Sequence, residues 1–175
     1  MDDRLPMRDV APGVQAAGGP IVTVAQADLD ELRRRTRREG RSQRLLLHPG
    51  IDDELHEMLI VHPRGIYVRP HLMARSSKTY MMVEGEMAMV LFGDDGTVEA
   101  RHLLRDGGRG GPFLLRLMER RFHTVVPLTE TAAFLEILPG PFRGTVFAPW
   151  APAADGGDAA AAYGRRLRDV VGGQA

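Results

Sequence analysis

From Arg44 to about Phe142, short apolar or alternating stretches recur with turn signals between them. They cover residues 45–47, 55–61, 66–71, 80–83, 88–92, 98–103, 112–117, 123–128 and 132–138. Pro49-Gly50, Pro63-Arg64-Gly65, Glu84-Gly85, Gly93-Asp94-Asp95-Gly96, Gly107-Gly108 and Pro139-Gly140 provide most of the breaks. Many short strands without a helical period between them predict an antiparallel sandwich or barrel. Upstream, the β-branched run 21–24 predicts a short strand. Residues 27–38 predict a helix: Asp28, Asp30 and Glu31 suit its positive end, arginines its negative end, and Gly40 its stop. Residues 147–152 (FAPWAP) suit an extended piece laid on the barrel, and a last helix starts at Asp158 and runs to about Val171. The expected division is a loose N-terminus over 1–19, a strand and helix over 20–43, a barrel over 44–152 and a tail with a helix over 153–175.

Composition narrows the partners. The chain has 175 residues, enough for one core, and a formal net charge of zero. Phosphate-binding surfaces usually carry a basic excess, so nucleic acid and anionic membrane are disfavoured. Cysteine is absent, which removes disulfides and thiolate ligands. No apolar run approaches the roughly 20 residues that span a bilayer, and the first ten residues lack a signal-peptide core. The expected location is the cytoplasm. The run Arg33-Arg34-Arg35 with Arg37 and Arg38 fits a solvated helix face. Lysine occurs once, at position 78.

Alternation places Tyr67, Arg69, His71 and Met73 on one strand face, with Ile66, Val68 and Leu72 on the other. Lys78, Tyr80 and Met82 share a face of the next strand, as do Arg121, His123 and Val125, and Phe134, Glu136 and Leu138. Tyr, Arg and His beside apolar neighbours suit a barrel interior that holds a ligand. Closure is expected to gather His71, Lys78, His123 and Glu136 at one cavity, with Trp150 at its mouth or packed as an aromatic anchor. His48, His56, His62 and His102 suit packing or hydrogen-bonding roles. Met81, Met82, Met87 and Met89 suit core filling.

The stretch from Gly65 to Gly85, GIYVRPHLMARSSKTYMMVEG, has the spacing of the first cupin motif. The second motif falls on Met118 to His123. HPGIDDELHEMLI from His48, YVRPH from Tyr67, VLFGDDGTV from Val90, GPFLLRL from Gly111, HTVVPL from His123 and FAPWAP from Phe147 extend the likeness. Together they resemble the WbuC family of small cupin-fold metalloproteins, over roughly residues 20 to 170. The resemblance implies a cupin-type double-stranded β-helix, or jelly-roll barrel, with an N-terminal helix and a short C-terminal helix. It also implies a homodimer, with residues 21–24 as a candidate edge strand for pairing, and a role near saccharide biosynthesis.

The departures set the functional expectation. In the family pattern three histidines and a glutamate hold a divalent metal. His71 and His123 match two of them, while Met73 and Lys78 replace a histidine and the glutamate. Met118 and Arg120 replace the Pro and Gly that shape the second motif. An ammonium in place of a carboxylate changes local charge by two units, and a thioether is a soft ligand, so the metal site is expected to be weakened or lost. The cofactor expectation is none, or a weakly held divalent metal. A desolvated lysine can act as a base or Schiff-base nucleophile, with His71, His123 and Tyr67 as acid–base partners. Arg69, Met73, Tyr80, Arg121, Glu136 and Trp150 are then the expected ligand-binding residues. The rival expectation is that Lys78 fills the metal position as a charge paired with Glu136 or Glu84. The chain is thus expected to bind a small polar molecule, a saccharide or specialised metabolite, as an enzyme or as a non-catalytic binding protein.

Overall fold

The computed structural model describes residues 5–73 and 77–172. Residues 1–4 and 173–175, the outer ends of the stretches expected to be loose, and 74–76, within the first-motif stretch, lie outside the described residues. Among the described residues twelve strands and two helices follow in the order β1 (Met7–Ala11), β2 (Val14–Ala17), α1 (Gln26–Glu39), β3 (Gln43–Leu46), β4 (Leu55–Pro63), β5 (His71–Met73) and β6 (Lys78–Glu84). Then come β7 (Glu86–Phe92), β8 (Val98–Arg105), β9 (Leu114–Leu117), β10 (Phe122–Pro127), β11 (Thr131–Pro139), β12 (Thr145–Phe147) and α2 (Asp158–Gly172).

One sheet has the order β1-β2-β3-β4-β11-β6-β9 and the other β12-β5-β10-β7-β8. The eight central strands therefore interleave as 4-11-6-9 against 5-10-7-8, two Greek keys rolled into a jelly roll. The two sheets remain separate, with β9 and β8 as edges on the same side. Between them Ile60, Tyr80, Met82, Met87, Met89, Leu91, Val125 and Phe134 form the inner core. Methionine fills this irregular space well because it is unbranched and flexible.

Helix α1 closes the first sheet on its outer face through Leu29 and Leu32, packed on Leu45, Leu59 and Val61. Its start is fixed by Asp28, whose carboxylate accepts from the Ala25 N–H at 2.8 Å. Its stop is Gly40, left-handed at φ 62° with its N–H on the Thr36 carbonyl. The arginine face meets acids of the same chain: Arg34 and Arg35 pair with Glu31, Arg37 with Glu130, and Arg33 with Glu84.

The structure differs from the pattern-based expectation in three places. Residues 21–24 make no ladder and Ile21 is 83% exposed, so they offer no edge strand. Residues 7–17, expected to be loose, form a hairpin that extends the first sheet. Its turn glycine, Gly13 (φ 74°), lies where a Cβ would meet the Ser42 carbonyl at 2.5 Å, and buried Gln15 donates to Gln43 across the seam. Residues 66–70 are irregular, and β5 begins only at His71. Pro70 has no N–H for a ladder, so the alternation expected through Tyr67 and Arg69 breaks before His71.

Candidate functional site

The site lies on the inner faces of both sheets. His71 on β5 and His123 on β10 are register partners, so their rings meet side by side at 4.6 Å between centroids. On the facing sheet, register carries Glu136 beside Tyr80, and Lys78 lies two residues from Tyr80 on the same face. Five polar side chains thus project into one small volume from four strands.

Their hydrogen bonds fix the proton positions. Each imidazole donates from Nδ1 to the carbonyl two residues back, His71 to Arg69 at 3.0 Å and His123 to Arg121 at 2.9 Å. A carbonyl only accepts, so both Nε2 atoms are left as acceptors. The Tyr80 hydroxyl donates to His123 Nε2 at 3.1 Å. Lys78 Nζ donates to Tyr80 Oη at 3.2 Å, points at His71 Nε2 at 3.5 Å and lies 3.3 Å from Glu136 Oε1. An ammonium has three donors, and each has a partner here. Lys78 is only 4% exposed, and Glu136 supplies its counter-charge; Glu84, the other expected partner, holds Arg33 instead.

This environment keeps the rings neutral. Burial, reinforced by the Lys78 charge, lowers the His71 pKa to about 4. Burial, then the Lys78 charge, holds His123 well below its ordinary value. Burial and the neighbouring Glu136 carboxylate raise the Tyr80 hydroxyl well above its usual range. The two rings and the tyrosine thus form a neutral polar shell beside the Lys78–Glu136 ion pair.

A divalent metal does not fit this donor set. A metal held by His71 Nε2 would meet the Lys78 ammonium, whose Nζ already lies 3.5 Å from that atom. Repulsion between an ammonium and a divalent ion at such distances reaches several kcal/mol even at an effective dielectric of about 20. Met73 offers a thioether, whose sulfur already accepts from Thr145 Oγ1 at 3.7 Å. Among the described residues no group of three or more His, Asp or Glu side chains is arranged to hold a metal ion.

Lys78, Glu136 and Met73 also form one end of a cavity of about 540 Å³. Its other walls include Arg8, Arg44, Leu46, Met58, Leu138 and Phe142, with His48 and His56 stacked at 4.1 Å on one side. This volume is in the range of small-molecule sites.

Four expected site residues lie elsewhere. Tyr67 donates to the Pro152 carbonyl at 2.9 Å and meets Tyr163 edge-on, so it packs outside the second sheet; burial raises its pKa to about 12. Arg69 donates to the Ala148 carbonyl at 3.0 Å and covers the Phe147 ring. Trp150 packs between Phe92, Phe122 and Tyr163 on that same outer face, away from the cavity mouth. Arg121 pairs with Glu99 at 2.7 Å and Glu119 at 3.1 Å. Arg44 was absent from the sequence expectation, although its alternation with Leu46 in the run 43–46 was the available signal.

A family model described as a domain of unknown function, DUF6016, matches residues 24–104. No curated protein matches the chain. Among solved structures, one described for the Mn(II) centres of Bacillus subtilis oxalate decarboxylase is 18% identical, with 54% of this chain and 24% of that chain covered and a TM-score of 0.45. Oxalate oxidase with the substrate analogue glycolate is 17% identical over 62% of this chain and 55% of that one, with a TM-score of 0.49. Peruvianin-I, described as a cysteine peptidase from Thevetia peruviana latex, is 21% identical over 54% of this chain and 55% of that one, with a TM-score of 0.43. The chain thus aligns with about a quarter to about half of each of these proteins. The jelly-roll assignment rests on the strand order itself.

Proposed function

We propose that this protein handles a small polar metabolite in the jelly-roll cavity without a divalent metal, and that Lys78 with Glu136 supplies the charge a metal would otherwise bring. The observation that carries this reading is the Lys78 ammonium held between His71, Tyr80 and Glu136 at the cavity end. An ammonium there can donate to a carbonyl or hydroxyl oxygen of a ligand, and Glu136 can take a proton from it. Displacing one of its three partners frees a donor for substrate. With Glu136 holding that proton, the free amine can add to a carbonyl and lose water as a Schiff base. The WbuC resemblance supports a saccharide or specialised-metabolite precursor as substrate class. A non-catalytic binder is the second reading, favoured by the complete internal satisfaction of Lys78.

Elemental analysis tests the metal part. Wild-type protein purified without added metal should hold well under about 0.1 equivalent of Fe, Zn, Ni or Mn, while Met73→His/Lys78→Glu should take up close to one equivalent. Stoichiometric metal in the wild type would sink the proposal. Borohydride reduction with carbonyl compounds separates catalyst from binder: an adduct on Lys78 supports the Schiff-base route, and binding without one supports the second reading.

A further inference from the structure

The far wall of the cavity carries a cation that the Lys78 cluster does not use. Arg44 on β3 is aligned with Ile60, which is aligned with Phe134, so it lies on the inner face of the first sheet. It is partly buried and lines the cavity, and its guanidinium has no ion pair or hydrogen bond among the described residues. Arg8, on the hairpin that extends the same sheet, lines the cavity beside it. The arginines of α1, by contrast, meet carboxylates of their own chain.

Charge and shape then select a ligand class. Among the described residues three cationic side chains line the cavity, and the one carboxylate there, Glu136, is paired with Lys78. Between Arg44 and the Lys78 end, Leu46, Met58 and Leu138 provide an apolar wall. Strand β3 is three strand spacings from β6, roughly 14 Å across the sheet before the two side chains reach inward. Of the two substrate classes proposed above, a saccharide ring would leave hydroxyls unpaired on the apolar wall, which narrows the class to a metabolite with an apolar chain, and an inorganic anion would not span the two cations.

We infer that the cavity binds an extended organic carboxylic acid, its carboxylate on the Arg44 fork, its carbon chain along Leu46, Met58 and Leu138, and a carbonyl or hydroxyl oxygen at Lys78. This rests on the reading of the cavity as the ligand site. The planar guanidinium matches a carboxylate in two parallel hydrogen bonds, which favours a carboxylate over a phosphate ester.

Titration calorimetry with 7-oxooctanoate, its methyl ester, glycolate and hexyl phosphate tests the assignment. Wild-type protein should bind 7-oxooctanoate most tightly, with the methyl ester and glycolate each weaker by roughly tenfold or more. Arg44→Gln should weaken the acid by roughly tenfold to a hundredfold and leave the ester unchanged; Arg44→Lys should fall between. The thermal midpoints of both variants confirm folding. Equal binding of acid and ester, tighter binding of hexyl phosphate, an Arg44→Gln variant that binds the acid like wild type, or no binding of the acid would overturn the inference. Ester that binds or is trapped on Lys78 by borohydride in those cases leaves the Lys78 reading standing, whereas stoichiometric metal in the wild type removes that reading whatever Arg44 does.

Discussion

The two faces of the second sheet use similar residues for opposite purposes. On the inner face His71 and His123 stand with Tyr80, Lys78 and Glu136, in a cluster where the polar atoms find one another and one end opens on a cavity. On the outer face Tyr67 and Trp150 clasp the FAPWAP segment and α2 to the barrel, while Arg69 holds the Ala148 carbonyl and covers the Phe147 ring. Gly96 (φ 87°) lies so close under Trp150 that a Cβ there would approach the indole to 2.8 Å, and Gly164 lets α2 approach Tyr67. Tyrosine and arginine near a binding motif are therefore no guide by themselves. The side of the sheet decides whether they meet a ligand or a neighbouring segment.

The comparison can be broken most forcefully at Glu136. Glu136→Ala strips Lys78 of its counter-charge in a buried setting, and the loss should be about 3–5 kcal/mol in urea unfolding. Replacing both partners with apolar groups, Lys78→Met/Glu136→Leu, should recover most of that stability while abolishing ligand binding. If Glu136→Ala cost less than about 1 kcal/mol, the pair would not be the organising feature of the inner face. On the outer face Trp150→Ala should cost about 3 kcal/mol through lost packing on Phe92 and Phe122. Cavity binding should not change with it, and a large drop in affinity would show that the clasp does more than pack.

Acid separates the faces by chemistry. Unfolded histidine takes up a proton near pH 6.5, but folded His71 does so only at about 4 and buried His62 at about 3, because burial disfavours the charged ring. The unfolded state then binds more protons between those limits, so stability is full above about pH 6.5 and falls as pH drops toward 4. Each such histidine steepens the loss by roughly 1 kcal/mol per pH unit. His62→Gln should flatten the slope of thermal midpoint against pH over this window. An unchanged slope would mean that His62 is not held neutral. The clasp rings do not titrate there, Tyr67 being held at about 12 and Trp150 having no titratable group, so amide exchange by local opening at the α2 contact should be nearly independent of pH once the intrinsic rate is removed.

The fold was legible because its signals are local. Alternation in Lys78–Tyr80–Met82 and Phe134–Glu136–Leu138 gave both strands and faces, and the charge gradient with Gly40 gave α1 within a residue or two of its ends. The convergence of His71, Lys78, His123 and Glu136 was expected from strand alternation and barrel closure. What failed depends on contacts distant in sequence. The β1–β2 hairpin is held by Gly13 against Ser42 and by Gln15 on Gln43, which no local pattern of the Pro/Gly/Ala-rich start encodes. Tyr67 and Arg69 were assigned inward by an alternation that Pro70 interrupts. Arg44 resembled any surface arginine until the hairpin carried the sheet beyond β3 and made its face a cavity wall.

The smallest expected effect is the sharpest comparison, because it removes one oxygen from each face. Tyr67→Phe deletes the bond to the Pro152 carbonyl, made by a hydroxyl at a partly exposed seam, and should cost about 1 kcal/mol with no change in cavity binding. Tyr80→Phe deletes a hydroxyl that is fully enclosed and bridges Lys78 to His123, leaving a cation and a ring nitrogen each short of one partner. The unfolding cost should again be modest, about 1–3 kcal/mol, but here the ligand site should respond. With its bond to the tyrosine gone, the ammonium has a donor free for ligand, so affinity for a carbonyl-bearing probe should rise or fall while that of Tyr67→Phe stays at the wild-type value. Two tyrosine variants with the same binding curve would erase the distinction between an inner face that meets ligand and an outer face that only packs.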